Sequence, residues 1–295
     1  VSLPRLGLVC QTESAHIRYR TITKTRLDAL APPAADDALR SIYLSNTDTL
    51  DGALTFLDEH AIRLYRIPST LFPFVDDPRG ARMLLRFGSR LREIGARAAR
   101  LGIRIVSHPD QFVVLSSDSP HVVANARKML IGEARVFDAL GLPRSPWACM
   151  TIHGGKGDRA QQLVTQIRAL PPEIRNRIVL ENDEYAYHAE QIYDVACAAG
   201  VPMVFDAHHH LVAEGLPSYD HPSIAQWLAA ARTTWPDPAW QLVHISNGRE
   251  HLCDAKHSDL ITTMPAAFVD APWIEVEAKR KEAAVLALRA AGSWN

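Results

Sequence analysis

The segment Val204–Leu211 (VFDAHHHL) sets one carboxylate and three imidazoles directly after an apolar run that begins at Val201. A parallel strand presents metal ligands in this way, at the end where its apolar residues stop. Three adjacent histidines also occur in solvated loops, so the segment gains its meaning from the same design elsewhere in the chain. His108 follows IRIVS, His153 follows WACMTI, Glu181 follows RIVL, Asp206 follows PMVF, His244 lies in LVHI, and Glu277 ends WIEVE. Taken singly, each reads as a core or rim residue paired with protein groups. Gathered in one cleft without a cation, such groups would carry a steep desolvation cost, so a shared metal cluster is the simpler explanation.

Imidazole and carboxylate donors without thiolate suit zinc, manganese or iron rather than calcium or an iron–sulfur centre. With His209 and His257 added, the candidate ligands are too many for one tetrahedral ion, which implies two or three ions. Such sites suit in-line displacement at phosphorus, where one cation activates water and others stabilise the attacking and leaving oxygens.

The elements that must position these residues alternate along the chain. Strand patterns fall at 5–10, 62–67, 103–107, 147–152, 177–180, 201–205, 240–245 and 273–277. Helical spacing follows each strand or its loop. It runs over 36–60 with an interruption near Ser45–Thr47, 80–101 closed by Gly102, 119–140 closed by Gly141, and 158–170 ended by Pro171 and Pro172. It resumes over 188–199 closed by Gly200, then 221–232, a short stretch at 258–268, and 280–291. This order predicts an α/β fold, a single (β/α)8 TIM barrel spanning 1–295, with the metal cluster at the carboxyl-terminal mouth of the strands. No Gly-x-Gly-x-x-Gly turn supports a dinucleotide-binding open sheet.

A chain of 295 residues with 47% hydrophobic content can bury a large core, which excludes disorder. The net charge of -1 excludes a surface that is cationic all over, but it allows a local basic face. Arg18, Arg20, Lys24 and Arg26 form either a solvated loop or a phosphate-contacting edge. The cysteines Cys10, Cys149, Cys197 and Cys253 stand far apart with no Cys-x-x-Cys pair, consistent with reduced thiols. No run reaches the roughly 18 apolar residues of a membrane span, and the amino terminus lacks a signal-peptide pattern. The expectation is a cytoplasmic monomer with no membrane or nucleotide cofactor.

Eight segments together resemble one family: RLGLVC (5–10), LYRIPSTLFPF (64–74), SHPDQFVVLSS (107–117), TIHGGKGD (151–158), LENDE (180–184), DAHHH (206–210), HISNGREHLCDAKHSD (244–259) and EAKRKE (277–282). They are similar to the ultraviolet damage endonucleases, relatives of the endonuclease IV type of abasic-site nuclease. The resemblance implies a DNA repair enzyme that nicks damaged double-stranded DNA just 5′ of ultraviolet photoproducts (cyclobutane dimers and 6-4 photoproducts, with abasic sites a further candidate). The nick leaves a 3′-hydroxyl and a 5′-phosphate. Manganese is the implied metal, although the ligand set accepts zinc equally.

The resemblance also distributes roles. One metal falls among His108, His153 and Glu181, a second among Glu181, Asp206, His244 and Glu277, and a third near His209 and His257. Glu181 and Glu277 are catalytic, with Lys279 either orienting the nucleophile or standing as a rim lysine. Gln111 and Phe112 correspond to the family's lesion-probing pair; without that context Phe112 reads as core. Arg66, Lys156 and Lys256 are phosphate-contact candidates. Four positions depart from the pattern: Phe112 replaces a tyrosine, Leu8 and Thr12 replace a tyrosine and an asparagine, and Leu242 stands where the family can carry a modified lysine. A metal-dependent sugar isomerase on the same barrel, and a barrel binding metal only for stability, are the competing readings.

Overall fold

A computed structural model describes residues 3–13, 17–155, 157–292 and 294. Eight parallel strands close in sequence order: β1 (Arg5–Val9), β2 (Leu64–Ile67), β3 (Arg104–Ser107), β4 (Met150–His153), β5 (Ile178–Glu181), β6 (Met203–Asp206), β7 (Leu242–Ile245) and β8 (Trp273–Val276). The outer layer holds α1 (Lys24–Asp28), α2 (Pro32–Glu59), α3 (Pro78–Arg86), α4 (Gly88–Arg100), α5 (Pro120–Ala139), α6 (Ala160–Arg168) and α7 (Pro172–Arg175). It continues with α8 (Ala189–Ala199), α9 (Ala207–Glu214), α10 (Pro222–Thr233) and α11 (Lys281–Ala290). This is the expected TIM barrel. No helix among the described residues is long and apolar enough to cross a membrane.

Side chains two apart on a strand share a face, and that parity divides the barrel interior. Leu64, Val106, Cys149, Val179, Val204, Leu242 and Trp273 form one buried cluster. Two residues further along their strands stand Arg66, His108, Thr151, Glu181, Asp206, His244 and Glu275. The interior is therefore apolar toward the amino ends of the strands and ionisable toward the carboxyl ends. Leu242 belongs to the apolar layer.

The apolar end is stoppered by Arg104. Its guanidinium donates to the carbonyls of Trp147 (2.7 Å), Trp240 (2.9 Å) and Pro146 (3.0 Å). It also lies over the rings of Trp147, Trp235 and Trp273 at 4.9, 5.7 and 5.3 Å. Closure also requires Gly7 on β1, where a Cβ would come within 2.6 Å of the Leu64 side chain.

Three local expectations are corrected. The helix over 36–60 is not interrupted at Ser45–Thr47, because α2 runs through it unbroken. Its buried polar residues find partners: Thr47 Oγ1 donates to Tyr43 O, and Asn46 Nδ2 donates to Arg20 O and Leu71 O. The single helix over 80–101 is two, α3 and α4, separated at Phe87, whose N–H turns back to Leu84 O and whose ring packs 6.0 Å from Tyr43. The helix at 258–268 is absent; only a 3₁₀ turn, Ala266–Asp270, forms. There Asn247 Oδ1 accepts the N–H groups of Thr262 and Thr263, holding them away from a helical ladder.

Glu133 on α5 is buried next to Ser107, and burial, only partly offset by the Ser107 hydroxyl, pushes its carboxyl up to about 8. The folded protein then holds a proton that the unfolded chain releases near the ordinary carboxylate range. The contribution of Glu133 to stability is largest below that range and falls as pH rises toward 8. Urea unfolding of Glu133→Gln and wild type should show a gap in favour of the variant that widens from acid to about pH 8 and then stays constant. A gap independent of pH would mean that Glu133 is not buried neutral.

Candidate metal centre

Glu181 is the last residue of β5 and is buried at 1% exposure. His108 Nε2 stands 2.9 Å from its Oε2 and His244 Nδ1 2.8 Å from its Oε1, with His153 Nε2 at 3.7 Å and His209 Nε2 at 3.8 Å. Register explains the convergence: His153 on β4 pairs directly with Glu181, and Asp206 on β6 pairs with His244 on β7. Donor atoms within 4.8 Å of one another form three groups, namely His108, His153 and Glu181; Glu181, His244 and Glu277; and Glu181, Asp206 and His209.

His209 arrives by a different route from the other strand-end residues. Strand β6 passes straight into α9, with Asp206 as N-cap: its Oδ1 accepts the His209 N–H at 2.7 Å. Of the three consecutive histidines only His209 turns to the cluster. His208 bonds the Tyr219 hydroxyl and Asp254 O, and His210 bonds Ser223 Oγ. His257 joins none of the three groups; its Nδ1 lies 3.8 Å from Glu277 Oε2.

Two acids that the sequence reading did not single out complete the centre. Glu275, two residues before Glu277 on β8, places Oε2 2.5 Å from His244 Nε2 and 3.0 Å from Arg66 Nη2. Strand parity with Glu277 was the available signal. Glu184 places Oε2 2.6 Å from His209 Nδ1, and only its closeness to Glu181 in sequence hinted at this. Arg66 is buried and bridges Glu275 and Glu277, so its guanidinium faces carboxylates rather than solvent.

Burial alone would raise the Glu181 carboxyl, but His244, His153 and His108 hold it well below the usual carboxylate range. Against the partial burial of Glu277, which is 13% exposed, Arg66 and then His244 draw its carboxyl down to about 2. His209 is pushed up to about 10 because Asp206, Glu184 and Glu181 outweigh its burial, and Glu181 and Glu275 raise His244 in the same way. The centre thus sets ionised acids against protonated His209 and His244, while burial pushes His153 down, toward its neutral form. Asp206 Oδ2 and His153 Nδ1 remain buried with no hydrogen-bond partner. An orphaned carboxylate oxygen facing nitrogen and oxygen donors, with no thiolate among them, fits a divalent transition metal.

The centre opens into a cleft of about 340 Å³ lined by Cys10, Arg66, Asp110, Gln111, His153 and His209, among others. Gln111 and Phe112 are exposed on the loop after His108, where Asp110 Oδ1 accepts the Phe112 N–H at 3.1 Å. Lys256 and Lys279 are exposed, and Lys156 lies outside the described residues.

Comparison with known proteins places this geometry. The family model of the UV-endonuclease UvdE matches residues 4–293. The chain belongs to that family. It is 54% identical over 99% of its length to the UV DNA damage endonuclease of Nostoc sp., covering 90% of that protein, and 46% identical over 98% to that of Deinococcus radiodurans, covering 95%. The fold is like that of SacUVDE (TM-score 0.84, 24% identity, 98% of this chain and 99% of that one). It is also like that of endonuclease IV from Thermus thermophilus (TM-score 0.59, 14% identity, 97% of each chain). Likeness to a D-psicose 3-epimerase from Clostridium cellulolyticum is weaker (TM-score 0.51, 14% identity, 77% of this chain and 78% of that one) and is one of fold alone.

His209 and His244 must lose protons to act as ligands, so adding manganese to metal-free protein should acidify a weakly buffered solution, and affinity should rise with pH. Asp206→Asn keeps an oxygen for the α9 cap and should fold normally while holding less metal by mass spectrometry. Asp206→Ala should in addition lose about 1 kcal/mol of stability. Full metal content in both variants would remove Asp206 from the centre.

Proposed function

We propose that the protein nicks duplex DNA immediately 5′ of ultraviolet photoproducts, cyclobutane dimers and 6-4 photoproducts among them, leaving a 3′-hydroxyl and a 5′-phosphate. The observation that carries this reading is Glu181, one buried carboxylate common to three ligand groups beneath an open cleft. Membership of the UvdE family and the relatives' activity as UV DNA damage endonucleases support it.

His108, His153, Asp206, His209, His244, Glu181 and Glu277 would hold two to three divalent ions, manganese first and zinc as the alternative. When bound, these would supply Lewis-acid charge to the phosphodiester and lower the pKa of water. The chain's own residues fix the geometry. Arg66 keeps Glu275 and Glu277 ionised and aligned, which suits it to this task better than to phosphate contact. Glu184 fixes the tautomer and orientation of His209, as an outer carboxylate does for a ligating imidazole. Lys279, exposed beyond Glu277, balances charge on the scissile phosphate, while Lys256 contacts the backbone and sequence assigns Lys156 to the same role. Gln111 and Phe112 enter the stack where damage has weakened it. We place this activity in a cytoplasmic monomer, as one catalytic unit over 1–295.

Metal-replete protein should nick irradiated duplex beside the damage, with chelation stopping it; equal treatment of irradiated and intact duplex would end the repair reading. Glu181→Gln should reduce nicking at least about 1,000-fold while damaged-duplex binding persists; parallel loss of both would make the residue structural. Gln111→Ala with Phe112→Ala should narrow the preference for damaged over intact duplex by about tenfold or more, read from competition binding. An unchanged preference would reject the wedge.

A further inference from the structure

Among the described residues, which include all eight Phe, seven Tyr and six Trp, only Phe112 and Tyr185 of the aromatic side chains are exposed, at 67% and 79%. Both stand on loops at the carboxyl ends of strands, Phe112 after β3 and Tyr185 after β5, with β4 and its His153 between them in the barrel. A protein that buries its other aromatic rings wholly or in part leaves two in water at the strand ends that carry the candidate metal centre. Phe112 already has an assignment; Tyr185 has none.

The Tyr185 loop is held in place rather than left to wander. Asp183 Oδ1 accepts the N–H groups of Tyr185, Ala186 and Tyr187 at 2.8, 2.5 and 3.2 Å, and the Asp183 N–H bonds Tyr187 O at 2.9 Å. Asp110 treats the Phe112 loop similarly. The neighbouring Glu184 carboxylate raises the pKa of the Tyr185 hydroxyl, and that same carboxylate lies 2.6 Å from His209 Nδ1, so Tyr185 directly follows in the chain a side chain that reaches the centre. A pre-positioned ring with only two side-chain torsions loses little entropy on stacking, whereas an exposed aliphatic side chain offers no flat face for it.

We propose that Tyr185 is a second nucleobase platform, stacking its ring on a base that has left the duplex beside the damage, across the cleft from the Phe112 wedge. The ligand class is an unstacked nucleobase of either strand, recognised by its π-face and not by its hydrogen-bonding edge. The proposal rests on the damaged-DNA reading of the cleft.

The test is single-turnover nicking of irradiated duplex by metal-replete protein, read as the enzyme concentration giving half-maximal rate. It is paired with the fluorescence of 2-aminopurine placed opposite or next to the damage. Tyr185→Ala should raise the half-maximal concentration about tenfold and lose the binding-induced fluorescence change, while Tyr185→Phe and Tyr185→Trp stay within about twofold of wild type, since stacking needs only the ring. Tyr185→Ala indistinguishable from wild type would overturn the proposal. So would Tyr185→Phe failing as badly as Tyr185→Ala, because the hydroxyl and its tie to Glu184 would then be the operative part. Failure of the wild type to prefer irradiated duplex would appear before any substitution and would overturn the damaged-DNA reading itself.

Discussion

A carboxylate that is 1% exposed at the centre of a barrel is the constraint on which the rest of this structure depends. Removing the ionised Glu181 from water carries a cost of several kcal/mol unless positive charge and hydrogen bonds meet it from all sides. The protein meets it with imidazoles from four different elements: His108 beyond β3, His153 on β4, His209 on α9 and His244 on β7. Those imidazoles are in turn held by further acids, Glu275 for His244 and Glu184 for His209, and Arg66 closes the circuit by pairing with Glu275 and Glu277. The pattern is a charge network whose three donor groups could hold cations. Its central oxygens are already ionised, and Asp206 Oδ2 has nothing else to bind.

Such a network keeps its geometry only on a rigid base. The apolar half of the barrel supplies it. Seven inward side chains pack in one cluster, and the three-carbonyl, three-indole seat of Arg104 seals the end away from the mouth. Because successive inward residues are two apart on each strand, a fixed apolar layer fixes the height of the ionisable layer above it. Leu242 lies in that lower layer and belongs to none of the three donor groups, the third of which is Glu181, Asp206 and His209.

At the mouth the same local device appears twice. Asp110 and Asp183 each turn a short side chain back on the following N–H groups and so lock a loop whose next aromatic residue points to solvent. Cys10 adds a third constrained point: it lines the cleft with a left-handed backbone (φ 65°), held by its N–H on Arg66 O and by the Tyr65 hydroxyl on its carbonyl. Rigid loops around a rigid cluster suit a rod-like substrate, because little order remains to be imposed when it binds.

By itself the sequence determined the eight strands, most of their helical partners and the ionisable residues at strand ends, because those depend on local signals. These are apolar runs of strand length, the left-handed glycines Gly102, Gly141 and Gly200 at φ 65°, 70° and 70°, and ionisable residues where each run stops. Tertiary structure decided what depends on partners distant in the chain. Asn46 and Thr47 look like a helix break until Arg20 and Leu71 reach Asn46, and Arg66 looks like a free cation until Glu277, 211 residues away, is folded against it. Choosing His209 over His208 and His210 was equally a matter of three dimensions. The three share a composition and a neighbourhood, and only the direction in which α9 leaves β6 separates the one that meets Glu181 from His208, which holds Tyr219 and the Asp254 carbonyl, and His210, which meets Ser223 on α10.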